Sequence, residues 1–281
     1  MQRQSGTITF GLAQWLAPCG RPEQSLATAV EHVASLAERG CGFVALPELW
    51  PCGYDPATLA RDARAAAEPL DGPRGQRLSQ AAREHGVWLF AGSVPELEDD
   101  RLYNTSVVYA PDGSLRAAHR KVHLYTPLGE DLVFAAGSGP TVLEVDGVGT
   151  VGLSTCFDGD HPDYARALHR LGARVVVSAS AYEVGAESWW DILYPANALA
   201  NGQWWVMTNQ CGGEGGSALL GASRVVAPDG HVVAEAVRAR PGRDGTDLLV
   251  VTVDLAAGIA EADDQSAALW ADAGAAAVRT G

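Results

Sequence analysis

A rhythm of alternating segments constrains the fold of this chain most tightly. Short apolar runs rich in Val, Ile and Thr alternate with segments whose apolar residues recur at helical spacing, and hairpins interrupt the alternation. Residues 7–14 (TITFGLAQ) read as a buried strand. Residues 22–39 read as a helix carrying Leu26, Val30, Val33, Leu36 and Ala37, stopped by Gly40. A second strand, CGFVALPE, is broken at Pro47 with Glu48 just beyond. Residues 75–85 are helical up to Gly86. VWLFAGSV and TSVVYAPDG are strands, the latter ending in a Pro-Asp-Gly turn. Residues 141–156 read as a hairpin about Asp146-Gly147. A helix over 163–171, a strand over 173–180, a helix over 189–203 and a strand over 204–212 follow. Residues 223–236 form another hairpin with its own Pro-Asp-Gly turn, and 247–254 the last strand. The Ala-rich tail from Ala256 reads as a helix or an arm. Alternating strands and helices ask for parallel pairing and hairpins for antiparallel, so the class is α/β with mixed sheets. No Pro-, Gly- or Ser-rich linker divides the 281 residues, the Gly-rich stretch 211–217 reads as a loop, and no fixed-period repeat is evident, so one domain is predicted.

Composition removes several classes of function. The formal charge is −14 with no basic run, which is unsuited to gripping a phosphate backbone, so no nucleic-acid partner is expected. No stretch approaches the ~18 apolar residues of a membrane helix. The five cysteines (Cys19, Cys41, Cys52, Cys156, Cys211) are widely spaced with no C-x-x-C pair, which argues against a zinc ribbon or a redox dithiol and for a reducing compartment. The start of the chain has no apolar leader, and a cytoplasmic protein is predicted. His123, His161 and His169 have no regular spacing to acids, so no metal is expected.

Four polar residues stand out because each closes or follows a strand-like segment. Glu48 follows FVALP, Lys121 sits in HRKVHLY, Glu130 in PLGED, and Cys156 ends VGLSTC before the break Phe157-Asp158-Gly159-Asp160. Singly, each has an ordinary reading: a loop acid, a solvated lysine, an acidic loop, a buried structural cysteine. The chemical readings of Glu48, Lys121 and Cys156 are, in turn, a general base, an ammonium beside a developing oxyanion, and a nucleophile held rigidly from behind and open in front. None of the other cysteines has the strand-to-turn setting of Cys156.

Together, LPELWPCGY, HRKVHLY and STCFDGDHPD resemble, in order, the signatures of the nitrilase superfamily of carbon–nitrogen hydrolases. Weaker matches in GLAQ, YNTSVVYAPDGS, VFAAGSGPTVLEV, VVVSAS, MTNQCG and GASRVVAPDG extend the resemblance over residues 7–255. The resemblance implies a four-layer α-β-β-α sandwich, pairing into a homodimer or larger assembly, and a cysteine mechanism without cofactor. It assigns Glu48 as base, Cys156 as nucleophile, Lys121 as stabiliser of the tetrahedral intermediate, Glu130 as the acid that orients Lys121, and the Phe157 backbone N–H as the second oxyanion donor. Tyr54 and Tyr182, which follow the Glu48 and VVVSAS strands, are expected as pocket walls.

The residues after the cysteine bear on the substrate. Cys-Phe-Asp resembles the amidase-type branches rather than the Cys-Trp-Glu of nitrilases, which implies a small amide. Asp160 stands where several branches carry an arginine, so a cationic or neutral substrate is expected over an anionic one. Asn197 and Ala200 replace a frequent Arg and Glu. An N-carbamoyl hydrolase and an acyl transferase would use the same residues, and a catalytically silent binding protein would need none of them. Trp189, Trp190, Trp204 and Trp205 read as core or interface rather than as a ligand-stacking box.

Overall fold

Two six-stranded mixed sheets lie face to face, and each is backed by helices on its outer side. The computed structural model of the protein describes residues 7–213, 218–239 and 245–270. In chain order the strands are β1 (Ile8–Gln14), β2 (Phe43–Ala45), β3 (Trp88–Glu98), β4 (Arg101–Tyr109), β5 (Leu115–Arg120), β6 (Thr141–Val145), β7 (Gly149–Thr155), β8 (Val175–Ser180), β9 (Trp204–Asn209), β10 (Cys211–Gly212), β11 (Leu219–Leu220), β12 (Arg224–Val226), β13 (Val232–Glu235) and β14 (Asp247–Val253). The helices are α1 (Pro22–Glu38), α2 (Leu59–Ala66), α3 (Pro73–His85), α4 (Pro162–Arg170), α5 (Tyr194–Asn201) and α6 (Leu255–Trp270). One sheet runs β14-β1-β2-β3-β4-β5 and the other β13-β12-β9-β8-β7-β6; β10 and β11 form a small ribbon.

The pattern of burial explains the layering. β8 (VVVSAS) is buried along its whole length and pairs in parallel with β7 and β9, as a strand covered on both faces should. Phe10, Leu12, Phe90 and Val108 from one sheet meet Leu153, Val177, Val206 and Val225 from the other in a shared core. α1 begins at Pro22, whose fixed φ suits the first helical position, and buries Ser25, Ala29, Val33 and Leu36 along one stripe. That stripe and α3 cover the outer face of the first sheet. α4 and α5 cover the second through Ala165, Leu168, Tyr194 and Ala198.

In each sheet the central parallel strands point their carboxyl ends the same way: β1, β2 and β3 in one, β7, β8 and β9 in the other. β5 returns to the direction of β3 through two antiparallel steps. Crevices beyond the carboxyl ends of such strands are where open α/β sheets bind ligands. Bonds between the sheets pin this end: Thr208 Oγ1 donates to the Leu46 carbonyl at 2.8 Å, and the Ser106 and Thr155 hydroxyls meet at 2.8 Å.

Three elements differ from the sequence reading. β5 (LRAAHR) is not among the strands read from the sequence: only His119 is fully buried on this edge strand, so no apolar alternation marks it. α2 is short and follows a turn-rich stretch, which hides its periodicity. The helix expected over 189–203 begins as a π-helical turn over Trp189–Leu193 and continues as α5. The tail enters α6; its remainder, 271–281, lies outside the described residues, as does 214–217 of the Gly-rich loop. Among the described residues, no helix is long and apolar enough to cross a membrane.

Candidate active site

Glu48 sits just past β2 in a turn that the neighbouring strand is shaped to receive. β3 carries a bulge between Phe90 and Ser93, with Gly92 at φ 63°. A Cβ on Gly92 would lie 2.0 Å from the Pro47 carbonyl oxygen, so the turn approaches as closely as glycine permits. Beyond the bulge, the Ser93 hydroxyl accepts the Leu49 N–H at 3.0 Å, and Leu49 itself sits at φ 47°. Gln210 Nε2 holds the Glu48 carbonyl at 2.8 Å. The Glu48 side chain is fully buried. Its Oε1 accepts Asn104 Nδ2 at 2.8 Å and Lys121 Nζ at 2.9 Å, while Oε2 has no hydrogen-bond partner.

Lys121 follows β5 and is also fully buried. Its backbone N–H donates to the Asn104 carbonyl at 2.8 Å, so Asn104 holds both Lys121 and Glu48. The ammonium reaches both Glu130 oxygens, Oε1 at 2.9 Å and Oε2 at 2.8 Å. Glu130 is fixed in turn by the Tyr54 hydroxyl at 2.7 Å and the Tyr125 N–H at 2.8 Å. Burial pulls the Lys121 pKa down, but Glu130 and Glu48 outweigh it and hold the ammonium well above its usual value. Burial raises Glu48, Lys121 pulls it back and Glu130 raises it again; the net shift is upward. Because these groups share protons, they titrate as a set.

Cys156 follows β7 and opens a short 3₁₀ helix, Cys156–Asp160. Its φ of 46° is a left-handed conformation that a non-glycine residue adopts at a cost of about 1–3 kcal/mol, and such outliers cluster at functional sites. The turn is braced from several sides. Thr155 and Asp158 form a reciprocal capping box, with the Thr155 N–H on Asp158 Oδ2 at 3.2 Å. Asp158 is fully buried and also accepts the Val122 and His123 N–H groups at 3.1 and 2.8 Å, His123 Nδ1 at 3.0 Å and His119 Nε2 at 3.0 Å. Burial alone would raise the Asp158 carboxyl; the hydrogen bonds from His119 and His123 overcome this and hold it below the usual carboxylate value. One carboxylate thus ties the cysteine turn to the lysine segment.

Behind the turn, the Tyr194 hydroxyl donates to the Cys156 carbonyl at 2.7 Å, and Asn197 Nδ2 to the Gly159 carbonyl at 2.8 Å. A Cβ on Gly159 would stand 2.4 Å from the Tyr194 ring, so this contact needs glycine. Asn197 therefore supports the loop directly. Burial pushes the Cys156 thiol well above its ordinary value; Glu48 adds to the shift and Lys121 opposes it. Burial and the Glu48 carboxylate both favour the protonated thiol.

A cavity of about 460 Å³ opens over Cys156. Phe157, Asp160, Tyr182 and Tyr54 line it, so every pocket residue expected from the sequence borders it. The Tyr54 hydroxyl is committed to Glu130, however, which makes Tyr54 a support for the acid more than a free wall. Asp160 accepts a hydrogen bond from the Tyr182 hydroxyl, and burial raises its pKa to about 6. Trp189 is 53% exposed and lines the cavity, whereas Trp190, Trp204 and Trp205 are buried. Sequence reasoning did not single out Asn104, Asp158, His119, Tyr125 or Gln210 as parts of the site. All five lie inside quoted motifs, and for Asn104 the polar residue amid a strand's apolar run in YNTSVVY is the available signal.

The carbon–nitrogen hydrolase family pattern matches residues 10–261. Omega-amidase NIT2 of Xenopus tropicalis is 29% identical over 241 residues, covering 83% of each chain. The 2-oxoglutaramate amidase of Bacillus subtilis is 30% identical over 231 residues, covering 82% of this chain and 86% of its own. Among solved structures, the NitN amidase of Nesterenkonia sp. AN1 superposes with a TM-score of 0.78 at 28% identity, covering 94% of this chain and 99% of that one. A variant of that amidase, with a TM-score of 0.79 at 27% identity and coverage of 96% and 99%, carries the acetamide moiety of fluoroacetamide covalently on its active-site cysteine. With the family pattern spanning nearly the whole chain on a matching two-sheet fold, this protein belongs to the carbon–nitrogen hydrolases of the nitrilase superfamily, on the amidase side, and is a hydrolase of carbon–nitrogen bonds other than peptide bonds.

Proposed function

We propose that this protein hydrolyses a small aliphatic amide through a thioester on Cys156, releasing ammonia and a carboxylate. The observation that carries the reading is the buried Lys121 ammonium shared between Glu48 and Glu130 beside a thiol at the cavity. Lys121 occupies Glu48 Oε1 and leaves Oε2 without a partner. Glu48 Oε2 takes the Sγ proton as sulfur attacks the amide carbon. The carbonyl oxygen gains the electron pair, and the Lys121 ammonium and the Phe157 N–H stabilise it. Glu48 then returns its proton to the amide nitrogen; the C–N bond breaks and ammonia leaves. Water, deprotonated by Glu48, attacks the thioester, and the carbonyl–sulfur bond breaks to give the acid and the thiol. Glu130 keeps Lys121 charged throughout. The raised values of both Glu48 and Cys156 suit this cycle, because the thiol needs a base and the base can both accept and return a proton.

The amide assignment draws on Cys-Phe-Asp and on the amidase names of the relatives. A screen of ammonia release over amides, carbamoyl compounds and nitriles tests it. Release of ammonia from amides without carbon dioxide is expected. Carbon dioxide with ammonia would move the assignment to a carbamoyl substrate, and efficient transfer to hydroxylamine with little hydrolysis would move it to acyl transfer.

A further inference from the structure

We propose that the cavity over Cys156 selects amides whose acyl chain ends in a primary ammonium group, received by the carboxylates of Asp160 and Glu183 between the aromatic walls of Tyr125, Tyr182 and Trp189; this specificity rests on the amide-hydrolysis reading above. Charge is the first reason. The described residues lining the cavity include Asp160 and Glu183 and no Lys, Arg or His. Beneath them, the carboxylates of Glu48 and Glu130 share the single ammonium of Lys121. An anionic group entering this space meets repulsion without a free cationic partner, and an ammonium meets the opposite.

Geometry is the second reason. Asp160 lies four residues beyond Cys156 on the same 3₁₀ turn, an axial rise of about 8 Å between their backbones at ~2 Å per residue, and both line the one cavity, so a short aliphatic chain can span them. The Tyr182 hydroxyl bonds Asp160 Oδ1, which fixes the carboxylate instead of leaving it to rotate into solvent. Asp160 is partly desolvated, which an arriving cation relieves and a neutral methyl group does not. The third reason is the wall chemistry. Tyr125 and Trp189 add aromatic rings to a site already negative, and such rings favour ammonium groups over neutral chains. The relative named for 2-oxoglutaramate takes an anionic amide; the charges here are arranged for the opposite sign.

Two measurements on the intact protein test this. The first compares kcat/KM for γ-aminobutyramide, butanamide and succinamate, which share a four-carbon chain and differ in the charge of the group that ends it. The ammonium substrate is expected to exceed the neutral one by about tenfold or more and the anion by a larger factor. In Asp160→Asn and Glu183→Gln the ratio of cationic to neutral substrate falls toward one. Equal or faster turnover of butanamide or succinamate by the wild type overturns the proposal and leaves amide hydrolysis standing. The second measurement needs no turnover: the rate at which Cys156 is modified by aminoethyl methanethiosulfonate against its sulfonatoethyl counterpart. A strong preference for the cationic reagent, reduced in both variants, supports the cation site even if no amide is hydrolysed. A preference for the sulfonate, or one unmoved by both substitutions, refutes it.

Discussion

At the scale of single residues, the site is a ledger of buried charges, each with an identified partner. Lys121 is the only ammonium between Glu48 and Glu130, so Lys121→Met leaves two buried carboxylates facing each other. The expected outcome is a loss in kcat/KM on the order of 10²–10³ or more, together with a lower thermal midpoint. Asp158 carries a different load, since it holds the cysteine turn against the lysine segment. Asp158→Ala should cost roughly 3–5 kcal/mol, read from urea unfolding at neutral pH. The pH dependence has a definite sign. The folded-state value of Asp158 lies below its unfolded value, so its stabilisation is present above the ordinary carboxylate range near ~4 and is lost as pH falls below it. The stability gap between wild type and Asp158→Asn should therefore narrow in acid; a constant gap would remove Asp158 from that role.

At the scale of elements, the chemistry depends on what happens just after strands end. β2, β5 and β7 stop at one edge, and the residues that follow are Glu48, Lys121 and Cys156. The bulge of β3 at Gly92 admits the Glu48 turn. Gly92→Ala should lower stability by more than ~1 kcal/mol, because it strains φ and meets the Pro47 carbonyl. It should also lower kcat more than it raises KM, since Glu48 moves; unchanged kinetics would show that the turn has slack. Much of this level was legible in the sequence. The buried strands were, because an apolar run such as VVVSAS can only be covered on both faces, and the Asp146-Gly147 hairpin was, because its turn chemistry is local. β5 was not, because an edge strand with one buried side chain carries no alternation. The partners of the site were not, because Asn104 meets Glu48, and His119 meets Asp158, only when segments far apart in the chain are brought together. Glu48, Lys121 and Cys156 were legible through the segments around them, while the commitment of Tyr54 to Glu130 became visible only in three dimensions.

At the scale of the whole molecule, a formal charge of −14 surrounds a cavity that is itself acidic. Long-range fields of this kind draw cations and are screened by salt over about 8–10 Å at moderate ionic strength. For an ammonium-bearing amide, kcat/KM should fall as sodium chloride is raised, whereas for butanamide it should stay flat. A flat profile for both would confine electrostatic selection to the cavity. The two sheets serve the same end as the charges: each brings part of the set, Glu48 and Lys121 from one and Cys156 from the other, and the bonds from Thr208 to Leu46 and between Ser106 and Thr155 keep them in register. The claim on which everything else stands is that Cys156 is the nucleophile of this assembly. Ammonia release from a hydrolysed amide by folded Cys156→Ala, set against the wild type, tests it most directly. The variant should be inactive to the limit of detection, and turnover approaching the wild-type rate would contradict the mechanism at its root.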